Sequence, residues 1–376
     1  MSPARAGWPA YLALHRSGEL EGRAARARDR LSQCDLCPRE CGVDRLAGEL
    51  GVCCTGEFAR VEGAGPHFGE EAPLVGRGGS GTIFFAGCNL ACVFCQNHTI
   101  SQPCDDPGAR PRTEVAGRQA GTPATSAPVE ISHPGSLRWE VTPERLAVMM
   151  LELQDLGCEN VNLVSPSHVV PQILAALVLA AERGLRLPLV YNTGGYDSLE
   201  TLRLLDGVVD IYMPDMKYAD DRVAERLSGI PDYVERNREA VVEMYRQVGD
   251  LEIGSGRRGS GGRGAPTWAT LPSGSDGRRA ARDSVCGVAR RGLLVRHLVL
   301  PGGLAGTASV ARFLADEVSR DTYINVMDQY HPAHQAAGYP EISRVLTSAE
   351  HREAVRDALS AGLWRLDGQV DGVTRP

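Results

Sequence analysis

The chain has 376 residues, 43% of them hydrophobic and only 5% aromatic, with a formal net charge of −7. That acidic balance excludes a general nucleic-acid or anionic-membrane binder, because no surplus of cations is available for phosphates. The length allows one large domain or two ordinary ones, either with a sizeable buried core. Two details stand out: there are eleven cysteines, and Lys217 is the single lysine in a chain whose other basic residues are arginine.

The first 30 residues hold no continuous apolar stretch and carry Glu19, Glu21 and Asp29, which argues against a secretory signal or transit peptide. The longest apolar stretch, at 173–181, is too short to span a bilayer and reads as a core helix. An odd number of clustered cysteines favours metal ligation in a reducing cytoplasm over a disulfide framework.

Residues 1–33 read as a helical segment and 34–78 as a Cys-rich metal-binding region, followed by the core at 79–365 and a flexible tail at 366–376. From residue 79 onward strand and helix patterns alternate. A β-rich run at 81–87 is the first strand. Thr142 then offers an N-cap oxygen with Pro143 at the first helical position, and Leu146, Met149, Met150 and Leu153 follow at helical spacing up to Gly157. Strands are expected at 161–164, 187–191, 208–213, 293–300 and 323–327. Helices are expected at 171–183, 198–205, about 234–248, 307–318 and 348–359. Six such units call for an α/β fold with a parallel sheet under helices, and a partial (β/α)6 TIM-like barrel suits them better than a doubly wound sheet. Residues 103–137 and 254–291 are rich in Gly, Pro, Ser, Thr and Arg without periodicity. They cannot bury enough apolar surface to offset ordering entropy, so both read as disordered inserts.

Cys88, Cys92 and Cys95 form C-x3-C-x2-C directly after the first core strand. Three thiolates on one short loop suit three irons of a cubane cluster and leave the fourth iron open, as a catalytic site requires. Zinc is the alternative, with His98 as the fourth ligand. Upstream, Cys34, Cys37, Cys41 and Cys53 give C-x2-C-x3-C-x11-C, with Pro38 and Gly42 in the turns. Four thiolates suit either a closed zinc site or a second iron–sulfur cluster, and spacing does not separate the two.

The CNLACVFCQN loop resembles that of the radical S-adenosylmethionine (SAM) superfamily. The segments LCPRECGV, GSGTIFFAGCNLACVFCQN, VNLVSPSH, YNTGGY, DIYMPDMKY and RHLVLPG are similar to its pyruvate formate-lyase-activating-enzyme-like branch, over about residues 34–362. The resemblance implies a 4Fe-4S cluster on Cys88, Cys92 and Cys95 that chelates SAM. It implies reductive cleavage of SAM to a 5′-deoxyadenosyl radical that abstracts hydrogen, and Phe94 near the adenine. It also implies a one-electron donor such as flavodoxin or ferredoxin, and a glycyl-radical or other protein substrate as partner.

Ligands in β/α folds gather at the C-terminal ends of strands. The second strand ends in Ser165, Pro166, Ser167 and His168, where many relatives carry a Gly-Gly-Glu that holds the SAM ammonium. The Ser165 and Ser167 hydroxyls are the candidates here, and His168 reads equally well as a helix-start residue without a role. The third strand ends in Asn192 and Thr193 before two glycines; relatives bear an Asp-Thr pair there. After the fourth strand, Asp215 and Lys217 alternate with Met216 and so point the same way, poised for SAM's carboxylate or ribose. His331, after the sixth strand, is expected to touch SAM or substrate, and either Arg296 or His297 on the fifth strand faces inward. Lys217 and His331 are thus the catalytic candidates. The competing reading is a non-catalytic iron–sulfur or zinc scaffold that carries electrons.

Overall fold

The computed structural model describes residues 8–102, 139–254 and 287–368. Most of the two expected inserts and of the expected tail therefore lies outside the described residues. The chain opens on two helices, α1 (Tyr11–Ser17) and α2 (Glu19–Asp29), and continues through the Cys-rich stretch to strand β1 (Ala59–His67) and a short helix α3 (Ala72–Val75). Then come β2 (Ser80–Phe85), α4 (His98–Ser101), β3 (Trp139–Val141), α5 (Pro143–Asp155), β4 (Val161–Val164) and α6 (Val170–Glu182). The alternation continues with β5 (Leu189–Thr193), α7 (Leu199–Leu204), β6 (Ile211–Pro214), α8 (Asp221–Ser228), α9 (Tyr233–Val248) and β7 (Glu252–Gly254). It closes with β8 (Val288–Leu298), α10 (Thr307–Phe313), β9 (Tyr323–Met327), α11 (Ser348–Ser360) and β10 (Arg365–Leu366).

Strands β2, β4, β5, β6, β8 and β9 are adjacent in that order and parallel, giving the six β/α units expected. β1 and β3 extend the β2 edge antiparallel, and β10 adds a short parallel strand beyond β9. The fold is α/β with a mostly parallel sheet. Five strand spacings of about 4.8 Å would hold β2 and β9 roughly 24 Å apart in a flat sheet. Yet Phe84 of β2 and Asn325 of β9 line one cavity, so the sheet curls around it.

Local chemistry accounts for these elements. Strands β4, β5 and β6 are buried along almost their whole length, as strands covered by helices on one side and a packed interior on the other must be. Thr142 caps α5 by accepting from the Arg145 N–H, with Pro143 behind it, and Gly157 follows the helix in the left-handed conformation. The second insert is narrower than expected, because Gly254 and residues 288–291 belong to an antiparallel ladder between β7 and β8. Helix α8 was hidden because its charged 221–228 stretch shows no long apolar run. The expected helix over 307–318 changes to π-type winding at Leu314–Val318. Among the described residues no helix is long and apolar enough to cross a membrane.

The Cys-rich stretch forms neither helix nor strand. Its backbone is zipped by Cys34 N–H donating to Val43 O (2.9 Å) and Gly42 N–H donating to Cys34 O (2.9 Å). The stretch meets the loop after β2 through Arg39, whose Nε donates to Asn89 O at 2.9 Å.

Candidate active site

The C-terminal ends of the parallel strands open on a cavity of about 780 Å³. Cys88, Cys92 and Cys95, Ser165, Asn192, Thr193, Asp215 and Lys217 all line it, so eight residues picked out along 130 positions of sequence come together. All three cysteines are free thiols. The loop bearing them leaves β2 through Gly87, whose φ of 87° an L side chain resists. A Cβ there would also collide with Cys53 O.

Each thiol has a neighbour. Leu90 N–H donates to Cys88 Sγ at 3.4 Å, Ser228 Oγ donates to Cys92 Sγ at 3.0 Å, and Cys95 Sγ lies 3.1 Å from Ser101 Oγ. Ser228 is itself fixed by Tyr218 OH at 2.6 Å. Burial pushes the Cys88 thiol up to about 12, with the Cys92 charge adding to it. Burial raises Cys92 as well, opposed by the Lys217 ammonium. Lys217 thus supplies positive charge beside the thiols, as stabilising thiolates requires.

Asp215, 8% exposed, joins two cations. Lys217 Nζ donates to its Oδ2 at 2.6 Å and Arg296 Nε to its Oδ1 at 2.8 Å, while a second nitrogen of Arg296 reaches Asn192 Oδ1 at 2.7 Å. Burial alone would raise the Asp215 carboxyl, but Arg296 and Lys217 outweigh it and hold it below its usual range. Burial alone would depress Lys217, but Asp215 and Cys92 outweigh it and lift it to about 12. Both groups are therefore ionised at neutral pH. Arg296 is the inward residue of β8, whereas His297 turns away to Met216 O and Thr307 Oγ1.

Other expected residues fall elsewhere. Ser167 is buried against Thr193 Oγ1 (3.0 Å), and Thr193 donates to the buried Asp197 carboxylate at 2.7 Å, so Ser167 braces the site from behind. Phe94 is buried edge-on against Tyr218 and Tyr330, in an apolar wall around the cysteine loop. His331 is exposed beside Gln96 and is not brought to the cavity, although its neighbours Asp328 and Gln329 are. His168 is buried, its Nε2 on Ala86 O at 3.0 Å, and burial depresses it to about 4, so it stays neutral. His98, the fourth zinc ligand of the alternative reading, instead sits 3.3 Å from Cys95 O and stacks on His334. Among the described residues, no three or more His, Cys, Asp or Glu side chains converge as ligands of one metal ion.

Glu70 and Glu71 are cavity residues that no sequence pattern marks. They lie in the turn before α3 and line the same cavity. Asn325 Nδ2 donates to Glu71 Oε1 at 3.0 Å, while the buried Glu71 Oε2 has no hydrogen-bond partner. Burial, reinforced by the Glu71 charge and opposed by Arg296, pushes Glu70 up to about 7. Nothing in the local sequence marks this pair, since only the curl of the sheet carries the turn to the strand ends.

A C-x3-C-x2-C loop on the first parallel strand, above a polar cavity in a curled α/β sheet, defines a class. Residues 82–251 match the model of the Radical SAM superfamily. A protein of Methanocaldococcus jannaschii described as uncharacterized is 27% identical over 338 residues, covering 89% of this chain and 77% of that protein. The crystal structure of Streptococcus suis SuiB bound to precursor peptide SuiA is similar with a TM-score of 0.39 and 10% identity. That match covers 73% of this chain and 44% of SuiB, so the chain spans less than half of that protein.

Proposed function

We propose that the chain is a radical SAM enzyme whose active site is the cavity between Cys88 and Asp215. The observation that carries this reading is the convergence of three free cysteines with the Lys217–Asp215–Arg296 network on one cavity. The donor set fits a 4Fe-4S cluster: three thiols from one loop, and a His98 engaged with backbone and a second ring. What a bound cluster and S-adenosylmethionine supply there is one-electron reductive cleavage and hydrogen-atom abstraction.

The chain's own residues bind, orient and shield. Cys88, Cys92 and Cys95 hold the cluster, and Ser228 fixes one thiolate in place. Lys217 presents an ammonium toward a carboxylate or ribose, held in position by Asp215. Asn192 and Ser165 offer short polar groups at the cavity edge. The unpartnered Glu71 Oε2 offers a buried acceptor for an ammonium, in place of the Gly-Gly-Glu that the chain lacks. Leu90, Val93, Phe94, Tyr218 and Tyr330 pack into an apolar wall around the loop and keep other hydrogen donors away. Ser165, at φ 58°, is strained in a way that places its side chain at the strand end, where such strain is usually functional.

The narrower reading comes from the sequence resemblance. The hydrogen is taken from a glycine or other group of a partner protein, electrons come from flavodoxin or ferredoxin, and the chemistry belongs in the reducing cytoplasm. The deciding experiment is anaerobic reconstitution with iron and sulfide, followed by SAM and dithionite. Release of 5′-deoxyadenosine that disappears in Cys92→Ala supports the enzyme. A fully loaded cluster that yields none overturns it in favour of a scaffold that carries electrons.

A further inference from the structure

The two cysteine motifs, more than 30 residues apart in sequence, are built against each other. Cys34, Cys37, Cys41 and Cys53 line one cavity, and Asn89, the residue after Cys88, lines the same cavity. Gly87 has no side chain where a Cβ would meet Cys53 O and, at 3.2 Å, His168 Nε2. Arg39, two residues after Cys37, donates from Nε to Asn89 O at 2.9 Å, and Asn89 Nδ2 donates to Tyr196 O at 2.6 Å. The Gly87–Asn89 backbone is therefore a shared wall, with Cys88 on the active-site side and four more thiols on the other.

All four of those thiols are free, and three of them are buried. A second feature points to a charged occupant. Arg45 is 1% exposed, donates to Gly56 O at 2.8 and 3.0 Å and to His168 O at 2.8 Å, and has no carboxylate partner among the described residues. Its Nη1 lies 3.9 Å from Cys34 Sγ. A buried guanidinium is always charged and is costly without an anion. A Cys34 thiolate on a bound metal would be an anion within its reach. The thiols surround a cavity and do not converge on the point that one ion would occupy. That arrangement separates a cluster, which binds each cysteine at its own iron, from tetrahedral zinc.

We propose that Cys34, Cys37, Cys41 and Cys53 hold a second 4Fe-4S cluster, which passes electrons one at a time across the Gly87–Asn89 wall to the cluster on Cys88, Cys92 and Cys95. An external low-potential one-electron donor is oxidised as the outer cluster is reduced. The outer cluster is then reoxidised as the inner one is reduced, and no bond is made or broken. Cys41 is the partly exposed member of the four and gives the donor its approach. The inference rests on the radical SAM reading for the destination of the electron, but not for the outer cluster itself.

The test uses the full chain, reconstituted anaerobically with iron and sulfide in the presence of zinc. Metal analysis is expected to give about eight irons per chain, two cubanes, and no stoichiometric zinc. In Cys34→Ser/Cys37→Ser, about four irons should remain with the inner cluster's electron paramagnetic resonance signal. Broadening of that signal by a neighbouring paramagnet should be seen in the reduced wild type and lost in the variant. Turnover driven by reduced flavodoxin should fall at least tenfold in the variant, while turnover driven by dithionite persists. Four irons with one zinc in the wild type, or four irons with no zinc, overturns the proposal even if 5′-deoxyadenosine forms. Eight irons without any 5′-deoxyadenosine would leave the outer cluster standing and sink the enzyme reading instead. The wild-type metal count decides the matter even if the double variant does not fold.

Discussion

Arg296 reaches from β8 to donate through Nε to Asp215 Oδ1 at 2.8 Å. The other carboxylate oxygen takes Lys217 Nζ at 2.6 Å, so one buried anion holds two cations at the cavity. Removing the anion strands both. Asp215→Asn is expected to lower stability by about 3–5 kcal/mol, the usual cost of breaking a buried pair from one side, read as a shift in the urea midpoint. SAM binding should weaken with it, because Lys217 loses the group that aims it. The folded carboxyl lies below its usual range, so its contribution is present above about pH 4 and lost as pH falls through the folded value. A variant as stable as the wild type at pH 7 would show that the network is not a structural unit.

Ser228 Oγ donates to Cys92 Sγ at 3.0 Å and is itself held by Tyr218 OH. Hydrogen bonds to cluster sulfurs stabilise the more negative, reduced state and so raise the reduction potential. Ser228→Ala should therefore lower the potential of the reconstituted cluster and slow its reduction by a fixed donor. Stability should change by only about 1 kcal/mol, since the thiol keeps its burial. A potentiometric titration in which variant and wild type coincide would remove Ser228 from the site.

Much of this site was legible because its chemistry is local. Cys88, Cys92 and Cys95 fall within one loop, and Asp215 and Lys217 within three residues of one strand end, so pattern alone aligned them. The strand β9 is found at the residues expected, because its apolar alternation is bounded by polar turns. What stayed hidden depends on distant packing. Glu70 and Glu71 look like two more acids before a Pro-containing turn. Ser228 ends a helix whose charged sequence conceals it, and Arg45 is one of many arginines until its burial is known. His331 misled in the opposite direction, since its place after the last strand carried it to the surface while Asp328 and Gln329 face the cavity.

Gly195 and Gly157 separate two reasons for keeping glycine. Both have positive φ, 77° and 81°. Around Gly157 a Cβ would meet nothing, whereas at Gly195 it would meet Asp215 O and Asn237 Nδ2 far inside van der Waals contact. Gly157→Ala should cost about 1–2 kcal/mol, the left-handed backbone penalty alone. Gly195→Ala should cost at least twice that and also reduce SAM binding, because the Asp215 backbone must move. Equal urea midpoints for the two variants would show that the strand end has room to relax.

Glu70 and Glu71 give the site a pH response of their own. Burial and the Glu71 charge push Glu70 up to about 7, from 4.5 in the unfolded chain. Between those values the folded protein holds a proton that the unfolded chain has released, so stability must fall as pH rises from about 4.5 to about 7. Glu70 is partly exposed, and screening discounts the full shift to an effect on the order of 1–2 kcal/mol. Glu70→Gln carries no titrating proton and should lose this slope, becoming more stable than the wild type at pH 8 but not at pH 4.5. A cationic group brought into the cavity should act in the same direction by favouring the ionised pair, so SAM should stabilise the wild type more at pH 8 than at pH 5.5. Urea unfolding at the two pH values, with and without SAM, reads both effects. Parallel pH profiles for wild type and variant would place the titrating proton elsewhere.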